Sequence, residues 1–205
     1  MARDRQSIVK MSRREGYALH PKAHKILVKR TVPPGGQTGG FRPRKPSQYA
    51  IQLREKQKVK RLYGLLERQF ANLMAEASAT KGASGSTLLS YLEQRLDNAV
   101  YRAGFAPSRR AARQLVGHGH FMLNGRRVNI PSIRVKAGDA IVARDHSKNS
   151  DYFKRLDDTS PAPAATPAWL KVSRKKLEIL ISGTPTREDA EPDINEQLIV
   201  EYYSR

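Results

Sequence analysis

The side chains best suited to chemistry in this sequence are three arginines at the start of a predicted helix. They are Arg109, Arg110 and Arg113. Ser108 precedes them, and its hydroxyl can cap the helix by accepting an otherwise unpaired backbone N–H. At about 100° per residue, the arginines share one side of the helix and the apolar residues share the other, namely Ala111, Ala112, Leu115 and Val116. Clustered cations at a helix N-terminus oppose the helix dipole unless an anion lies opposite them. The pattern therefore predicts one packing face and one phosphate-binding face.

Further polar side chains follow within a few residues. Gln114 lies on the same predicted helix, and His118 and His120 come directly after it, with a glycine between them. Arg126 and Arg127 follow a predicted turn. We expect the histidines to stack on a nucleic acid or to form hydrogen bonds with it, and the two arginines to contact its phosphates.

Basic residues in the first third of the chain extend the same chemistry. Residues 1 to 70 contain 18 Lys and Arg against 4 Asp and Glu, and the whole chain contains 38 against 19, a net charge of +19. Such an excess predicts a polyanionic partner, with nucleic acid as the first candidate and an anionic membrane surface as the second. The candidate contacts in this part are Arg13, Arg14, Arg42, Arg44, Lys45, Arg54, Lys56, Lys58 and Arg61.

Other kinds of site fit the sequence less well. The chain has no cysteine, which excludes disulfides and thiolate zinc sites. His118 and His120 have a spacing seen in some metal sites, but their glycine-flanked position favours contacts with RNA or backbone. The glycine-rich run 35–40 lacks the Gly-Lys-Ser/Thr that follows in a nucleotide-binding loop. We therefore expect no metal, no cofactor and no small-molecule substrate.

Membrane insertion is not expected. No run of apolar residues approaches the roughly 20 that a membrane span requires. The N-terminus carries charges at Arg3, Asp4 and Arg5 where a signal peptide would have an apolar segment. We expect a protein of the cytosol.

The candidate residues are positioned by a predicted unit of two helices and a small sheet. Asn124-Gly125 is the strongest short-range hairpin signal and predicts strands at residues 120–123 and 127–130. A third strand is predicted at Ala140–Ala143. The helix that precedes Ser108 is predicted by apolar residues at three- and four-residue spacing, namely Leu89, Leu92, Leu96, Ala99, Val100 and Ala103.

One long helix is predicted before this unit. Apolar residues repeat at helical spacing from Ser47 to Ala79, with a bend expected near Gly64 because glycine weakens a helix interior. Residues 1–46 are rich in Gly, Pro and basic residues. We expect them to become ordered only against a partner, apart from a short helix near residues 12–19.

The C-terminal end is expected to return to this long helix. Residues 160–167 resemble an extended linker. Trp169, Leu170 and the apolar residues at the end need a core, and we expect them to pack on the helices of residues 47–92. Leu198, Val200 and Tyr202 alternate like one face of a strand.

These patterns resemble known proteins. The two-helix unit with its small sheet is similar to the alpha-L RNA-binding module. The chain as a whole resembles the family of small-subunit ribosomal protein four, of the bacterial or organellar type. The segments that carry the second resemblance are Gln52 to Val59, Tyr63-Gly64, Leu66 to Phe70, Arg95 to Asn98, Tyr101-Arg102, Gly104-Phe105 and Asp193 to Glu201.

This resemblance implies an α+β fold. Its parts are a mainly helical domain made from both chain ends and an inserted alpha-L domain, in which a two-helix unit packs on a small antiparallel sheet. The implied segments are a basic extension (1–46), the first part of the helical domain (47–92), the alpha-L domain (93–150) and a linker with the C-terminal return (151–205).

The resemblance also implies a function. Family members bind early to a multi-helix junction in the 5′ domain of small-subunit ribosomal RNA, nucleate assembly, and affect decoding accuracy at the messenger RNA entrance beside neighbouring small-subunit ribosomal proteins. Messenger RNA is a further candidate partner. The implied location is the ribosome, in the cytoplasm or in an organelle. Some members bind zinc or a cluster through N-terminal cysteines, but Val9 and Ser12 stand in those places here, so no metal is implied.

Two other functions compete with this interpretation. An RNA-modifying enzyme is suggested by Arg95-Leu96-Asp97, which is similar to a catalytic motif of pseudouridine synthases, but no strand-rich catalytic domain follows and we expect Asp97 to be structural. A DNA-binding protein would read bases in the major groove with residues 109–117. Three arginines with only Gln114 nearby favour phosphate contact over base reading.

Overall fold

A computed structural model describes residues 4, 6–30, 32–35, 45–163 and 165–204. The chain divides into two compact units, one made of Met1–Leu88 and Asp193–Arg205 and the other of Leu89–Pro192. The helices are α1 (Ile8–Glu15), α2 (His24–Lys29), α3 (Gln48–Leu62), α4 (Glu67–Ala79), α5 (Ser84–Glu93), α6 (Leu96–Arg102), α7 (Arg109–Gly117), α8 (Asp145–Lys148), α9 (Asp151–Lys154), α10 (Leu156–Thr159) and α11 (Glu196–Tyr203). The strands are β1 (Phe121–Leu123), β2 (Arg126–Val128), β3 (Ala140–Ala143), β4 (Leu170–Ser173) and β5 (Glu178–Ile181).

The long helix expected from Ser47 to Ala79 is two helices. Gly64 adopts a φ of +66°, a left-handed conformation that ends α3 rather than bending it. Leu65 is buried, and its backbone N–H donates to the Lys60 carbonyl at 2.9 Å. A bond between residues five apart closes the C-terminal end of a helix and does not continue it. Helix α4 then restarts at Glu67, with the Gln69 side chain accepting the Leu66 N–H. The expected bend was at the right residue, but the interruption is complete.

The described part of the N-terminal segment is folded within its own unit, which corrects the expectation that it needs a partner. Helix α1 packs on α3, and Pro21–Ala23 form a 3₁₀ turn before α2. Met11 and Ala23 are buried, and the Ser12 hydroxyl donates to the Ile8 carbonyl while accepting the Leu19 N–H. These contacts join the described part of the segment to the rest of its unit. The run from Gly36 to Arg44 lies outside the described residues.

The C-terminal tail packs along α3 as expected, but as helix α11 and not as a strand. The Asn195 side chain caps it by accepting the Gln197 N–H at 3.2 Å. Ile199 is the fully buried residue of this helix. The alternation of Leu198, Val200 and Tyr202 was misleading because apolar residues fill nearly every position from 198 to 203, which fits either period.

The second unit holds a five-stranded antiparallel sheet in the order β2-β1-β3-β5-β4. Asn124 and Gly125 both have positive φ values, 49° and 78°, as the predicted two-residue hairpin turn requires. Strands β4 and β5 were not predicted. They place Trp169 and Leu170 in the core of this unit, which corrects the expectation that these residues pack on the helices of 47–92.

One face of this sheet packs against helices α6 and α7. Phe121, Ile141 and Ile179 point from the sheet into the core, where they join Val100 of α6 and Val116 of α7. The α+β class with an alpha-L type module is therefore confirmed. Among the described helices, none has the length and apolar character of a membrane span.

The buried position of Ile199 generates a stability prediction. Truncation of Ile199 to alanine should lower the free energy of unfolding by about 2–5 kcal/mol, because it leaves a cavity between α11 and the rest of its unit. Gln197→Ala, an exposed change on the same helix, is the matched control and should have almost no effect. Urea unfolding of both variants measures the difference. Equal midpoints for the two would contradict the packing of α11.

Candidate nucleic-acid interface

Helix α7 has the cap and the packing face that its sequence predicts. The Ser108 hydroxyl accepts the Ala111 N–H at 3.2 Å and so caps the helix from a buried position. Ala112 and Val116 are fully buried, while Ala111 and Leu115 pack against the same core.

Arg109 does not belong to an exposed cationic face, which corrects the first part of the prediction. Its guanidinium contacts a Glu191 carboxylate oxygen at 2.9 Å and donates from Nε to the Asn98 side-chain oxygen at 2.9 Å. It also lies over the Tyr101 ring, 4.6 Å from the centroid. These contacts hold Arg109 within its own unit.

Arg113 is likewise a structural residue. Its Nε lies 3.0 Å from an Asp97 carboxylate oxygen, and its side chain is only 19% exposed. Burial lowers the pKa of the guanidinium, while the Asp97 carboxylate acts in the opposite direction. Asp97 also accepts two hydrogen bonds from Arg95, at 3.1 and 2.9 Å. The structural role expected for Asp97 is therefore confirmed.

Arg110 is the member of the trio that faces solvent. No charged partner for it exists among the residues that the structure describes. Gln114 lies one turn further along α7 and His118 one turn beyond that, and both are exposed. The exposed face of α7 is thus defined by Arg110, Gln114 and His118.

A cluster of basic groups surrounds the turn at Gly119, which links α7 to β1. Gly119 has a φ of +73°, and a Cβ atom at this position would lie 2.8 Å from Nε of Arg127. Arg144 donates to the Gly119 carbonyl at 3.3 Å. Arg126 is exposed beside Arg127 on strand β2. Arg127, Arg144 and the exposed face of α7 can therefore offer several cations to one nucleic-acid backbone.

Sequence reasoning missed Arg144. Its position in the sequence could have indicated it, because Arg144 directly follows the strand predicted at Ala140–Ala143 and therefore lies at the end of that strand. What the sequence could not show is that β3 pairs with β1, which brings Arg144 beside the start of β1. The Arg144 backbone N–H bonds to the His120 carbonyl at 2.9 Å.

His120 is suited to hydrogen bonding more than to charge attraction. Its Nδ1 lies 3.0 Å from the Ser147 hydroxyl, and its ring packs on Phe153. Burial lowers the pKa of the His120 imidazole, and the neighbouring His118, Arg144 and His146 lower it further. These surroundings therefore favour the neutral form of the ring.

The four cations predicted on α3 differ in their availability. Arg54 and Arg61 both pair with Glu15 of α1, and Arg54 keeps a large exposed fraction. Lys58 contacts Glu55 and donates to the Asp193 carbonyl at 2.7 Å. These three are held in fixed positions at or near the surface of their unit.

Lys56 is buried, which corrects its assignment as a nucleic-acid contact. Its ammonium group lies 2.6 Å from a Glu67 carboxylate oxygen and 4.7 Å from the centroid of the Tyr202 ring. A side chain that is 3% exposed cannot reach a phosphate outside the unit. Lys56 instead joins α3 to α4 and α11.

The remaining candidates lie in the N-terminal segment. Arg13 donates twice to the Val32 carbonyl, at 2.7 and 3.1 Å. Arg14 and Lys45 are exposed. Arg42 and Arg44 lie outside the described residues.

Comparison with known proteins agrees with this architecture. Residues 3–93 match the family model described as the ribosomal protein S4/S9 N-terminal domain, and residues 94–141 match the S4 domain. The small ribosomal subunit protein uS4 of Chloroflexus aurantiacus and that of Chlorobium limicola are each 50% identical to the chain over 206 residues, with 100% of both sequences covered. The uS4 protein of Roseiflexus sp. strain RS-1 is 48% identical with the same coverage.

The fold and the basic surface define an RNA-binding protein with an S4-type module. The full-length identity goes further, and the chain belongs to the family of small ribosomal subunit protein uS4. This family is a structural, non-enzymatic component of the ribosome. The alternative of an RNA-modifying enzyme is therefore wrong.

The pairing of Asp97 with two arginines generates a second prediction. Asp97→Asn leaves Arg95 and Arg113 without their counter-charge, and should lower the free energy of unfolding by about 3 kcal/mol. Asp145→Asn is the matched control, because that carboxylate is 91% exposed and its pair with Lys148 should contribute almost nothing. Urea unfolding compares the two. A similar small loss in both would show that the Asp97 pairs are not structural.

Glu67 generates a pH prediction. Burial alone would raise the pKa of its carboxyl, but hydrogen bonds from Lys56 and Lys60 hold that pKa at about 2. Because the pKa is lower in the folded state than in the unfolded chain, the stabilisation is present above about pH 4.5 and is lost as the pH falls towards 2. The stability difference between wild type and Glu67→Gln should therefore be constant near neutral pH and shrink below about pH 4.5.

Denaturant unfolding at a series of pH values measures this difference. The exposed Glu188→Gln is the control and should show little pH dependence. The expected effect is modest because the Glu67 side chain is 49% exposed. A wild-type to Glu67→Gln difference that stays constant down to pH 2 would contradict the assignment.

Proposed function

We propose that this chain is a structural constituent of the small ribosomal subunit in the cytoplasm and binds small-subunit ribosomal RNA directly. The observation that supports the proposal is a basic surface in which the exposed Arg127 and the half-buried Arg144 lie at the turn at Gly119, and Arg110 and Arg126 are exposed in the same unit. Arg110 lies on α7, Arg126 and Arg127 lie on β2, and Arg144 directly follows β3, so an ordered backbone positions these cations and less conformational entropy is lost on binding. Contacts of this kind fix the position of a protein on a nucleic acid without reading its bases.

The finer role that we propose follows the family resemblance. The chain binds early to a multi-helix junction in the 5′ domain of the RNA and nucleates assembly there. It also contributes to translational accuracy at the messenger RNA entrance, beside neighbouring small-subunit proteins. The exposed Arg14 and Lys45 are candidate contacts for ribosomal or messenger RNA.

The proposal predicts a particular salt dependence. Changing Arg110, Arg126 and Arg127 to glutamine should weaken binding to a 5′-domain RNA fragment. It should also lower the slope of log affinity against log salt by up to about 2–3, at roughly 0.7–0.9 per phosphate contact. Isothermal titration or filter binding at several salt concentrations measures both quantities.

The matched control removes the same charge from another part of the same unit. Lys171, Lys175 and Lys176 are exposed residues on β4 and the turn that follows it, and their triple change to glutamine should alter affinity much less. Equal losses in the two triple variants would show that net charge, and not the surface around Gly119, governs binding. Salt-independent binding of the wild-type protein would contradict the proposed function itself.

A further inference from the structure

Three histidines lie together around the turn at Gly119. His118 and His120 flank this glycine, and the centroids of their rings are 6.0 Å apart. His146 belongs to α8, which begins directly after Arg144, and the Arg144 backbone N–H bonds to the His120 carbonyl at 2.9 Å. His118 and His146 are exposed, whereas His120 is half-buried. The RNA-binding surface proposed above consists of arginines, so these titratable rings are additional to it.

An ordered framework holds this histidine cluster in place. The His120 ring stands edge-on against Phe153, with 6.1 Å between the ring centroids, and its Nδ1 lies 3.0 Å from the Ser147 hydroxyl. The Ser147 backbone N–H donates to the Arg144 carbonyl at 2.8 Å, which fixes the start of α8. His146 lies between these two residues and is close enough to His120 for their charges to interact.

The charged groups that face His120 in the described part of the chain are positive when ionised. They are His118 from the end of α7, Arg144 from the end of β3 and His146 from α8. Burial lowers the pKa of the His120 imidazole, and these three groups lower it further. A proton added to the cluster therefore repels the charges already present. An anion bound at the turn would offset this repulsion and favour protonation.

Two other charged groups lie beside the histidine cluster, and neither cancels its positive charge. Arg127 of β2 packs against Gly119 and adds a further cation. Asp145 begins α8, but its carboxylate is 91% exposed and lies 2.9 Å from the ammonium group of Lys148. The surroundings of the histidines are therefore positive before any of them takes up a proton.

Proton binding and phosphate binding at such a cluster favour each other. Histidine is the side chain whose ordinary pKa, about 6.5, places its change of charge between about pH 5 and pH 8. A nearby negative charge stabilises the protonated form. By linkage, a phosphate that promotes protonation is itself bound more tightly when the proton is present.

We infer that His118 and His146 make the RNA contact at the Gly119 turn proton-linked, so that RNA binds more tightly as the pH falls from about 7.5 to about 5.5. Each imidazole takes a proton from solvent as phosphates bind, and the new N–H donates to a phosphate oxygen. The inference rests on the proposed function and adds a regulation of the same site. His120, which is half-buried and bonded to Ser147, positions the other two rings.

Two other roles for the histidines predict different behaviour. An imidazole that stacks on a base as a neutral ring contributes equally at both pH values. A metal site needs at least three ligating side chains within reach of one ion. No such group of His, Asp or Glu occurs among the residues that the structure describes. Proton-linked phosphate binding uses the exposed rings and their cationic surroundings together.

The test uses the full chain, a 5′-domain RNA fragment and one ionic strength at about pH 7.5 and about pH 5.5. Two double variants are matched at the same positions. His118→Gln with His146→Gln is permanently neutral there, and His118→Lys with His146→Lys is permanently charged. All other titrating groups of protein and RNA are shared, so differences between variants isolate these two side chains.

The wild type should gain roughly three- to tenfold more affinity than the glutamine variant when the pH is lowered. At about pH 7.5 the lysine variant should bind about as tightly as the wild type does at about pH 5.5, and it should gain no more than the glutamine variant on acidification. His24→Gln removes an exposed imidazole outside the cluster and should gain as much as the wild type.

Proton uptake is a second, independent measurement. Calorimetry in buffers of different ionisation enthalpy counts the protons bound on association. Near pH 6.5 the wild type should take up more protons than the glutamine variant, by up to about two. Equal uptake in the two proteins would overturn the inference.

The binding outcomes separate this inference from the proposed function. If wild type and glutamine variant gain the same affinity on acidification while both bind in a salt-dependent manner, only the inference fails. If the glutamine variant is weaker by one factor at both pH values and lysine does not restore binding, the rings stack and the inference is again overturned. If the wild type lacks salt-dependent binding, the proposed function fails and the inference fails with it.

Thermal unfolding at both pH values checks that the variants fold. If the glutamine double variant does not, the single changes His118→Gln and His146→Gln replace it. Each should remove roughly half of the extra gain in affinity on acidification, when the two histidines contribute equally. A gain equal to that of the wild type in both single variants would overturn the inference.

Discussion

Two buried carboxylates at the start of the second unit hold together the elements around them. Glu93 is fully buried and accepts hydrogen bonds from Arg102 at 2.8 and 3.0 Å and from the Asn98 amide at 2.7 Å. Asp97 pairs with Arg95 and Arg113, and so joins α6 to α7. A buried carboxylate without such partners would cost several kcal/mol, so the positions of these arginines are strongly constrained. The orientation of α7, and therefore which of its residues face solvent, depends on these contacts.

The same constraint explains which parts of the site could be predicted from sequence. The Ser108 cap, the packing face of α7 and the turn at Asn124-Gly125 are decided by residues a few positions apart, and local rules predicted them. The pairing of Arg109 with Glu191 joins residues 82 positions apart, and no periodicity reveals it. The sequence alone therefore predicts that an arginine at a helix start is free to bind phosphate. In the folded unit, Arg109 instead pairs with a carboxylate that is distant in the sequence.

The errors outside the site have the same physical origin. Glycine at position 64 was expected to weaken a helix, but whether it bends or ends the helix depends on the buried neighbour Leu65 and on the left-handed φ that the chain adopts.

The Gly- and Pro-rich composition of the N-terminal segment predicted that its folding depends on a partner. The described part is nevertheless packed within its unit, where Met11 and Ala23 are buried and the Ser12 hydroxyl forms two hydrogen bonds. Composition averages over a segment, whereas packing depends on a few of its positions.

The first unit, like the second, contains a buried carboxylate that pairs with two arginines, and this carboxylate belongs to Glu15. Its side chain is inaccessible to solvent, and burial raises the pKa of its carboxyl even though Arg54 and Arg61 oppose that shift. Like Asp97, it receives two arginines from outside its own helix. A pair of arginines on one carboxylate keeps a net positive charge while fixing where that charge lies. The number of basic residues is therefore larger than the number of cations available to RNA. Some of the arginines and lysines pair with carboxylates and stabilise the fold, and only the remaining exposed cations can contact RNA.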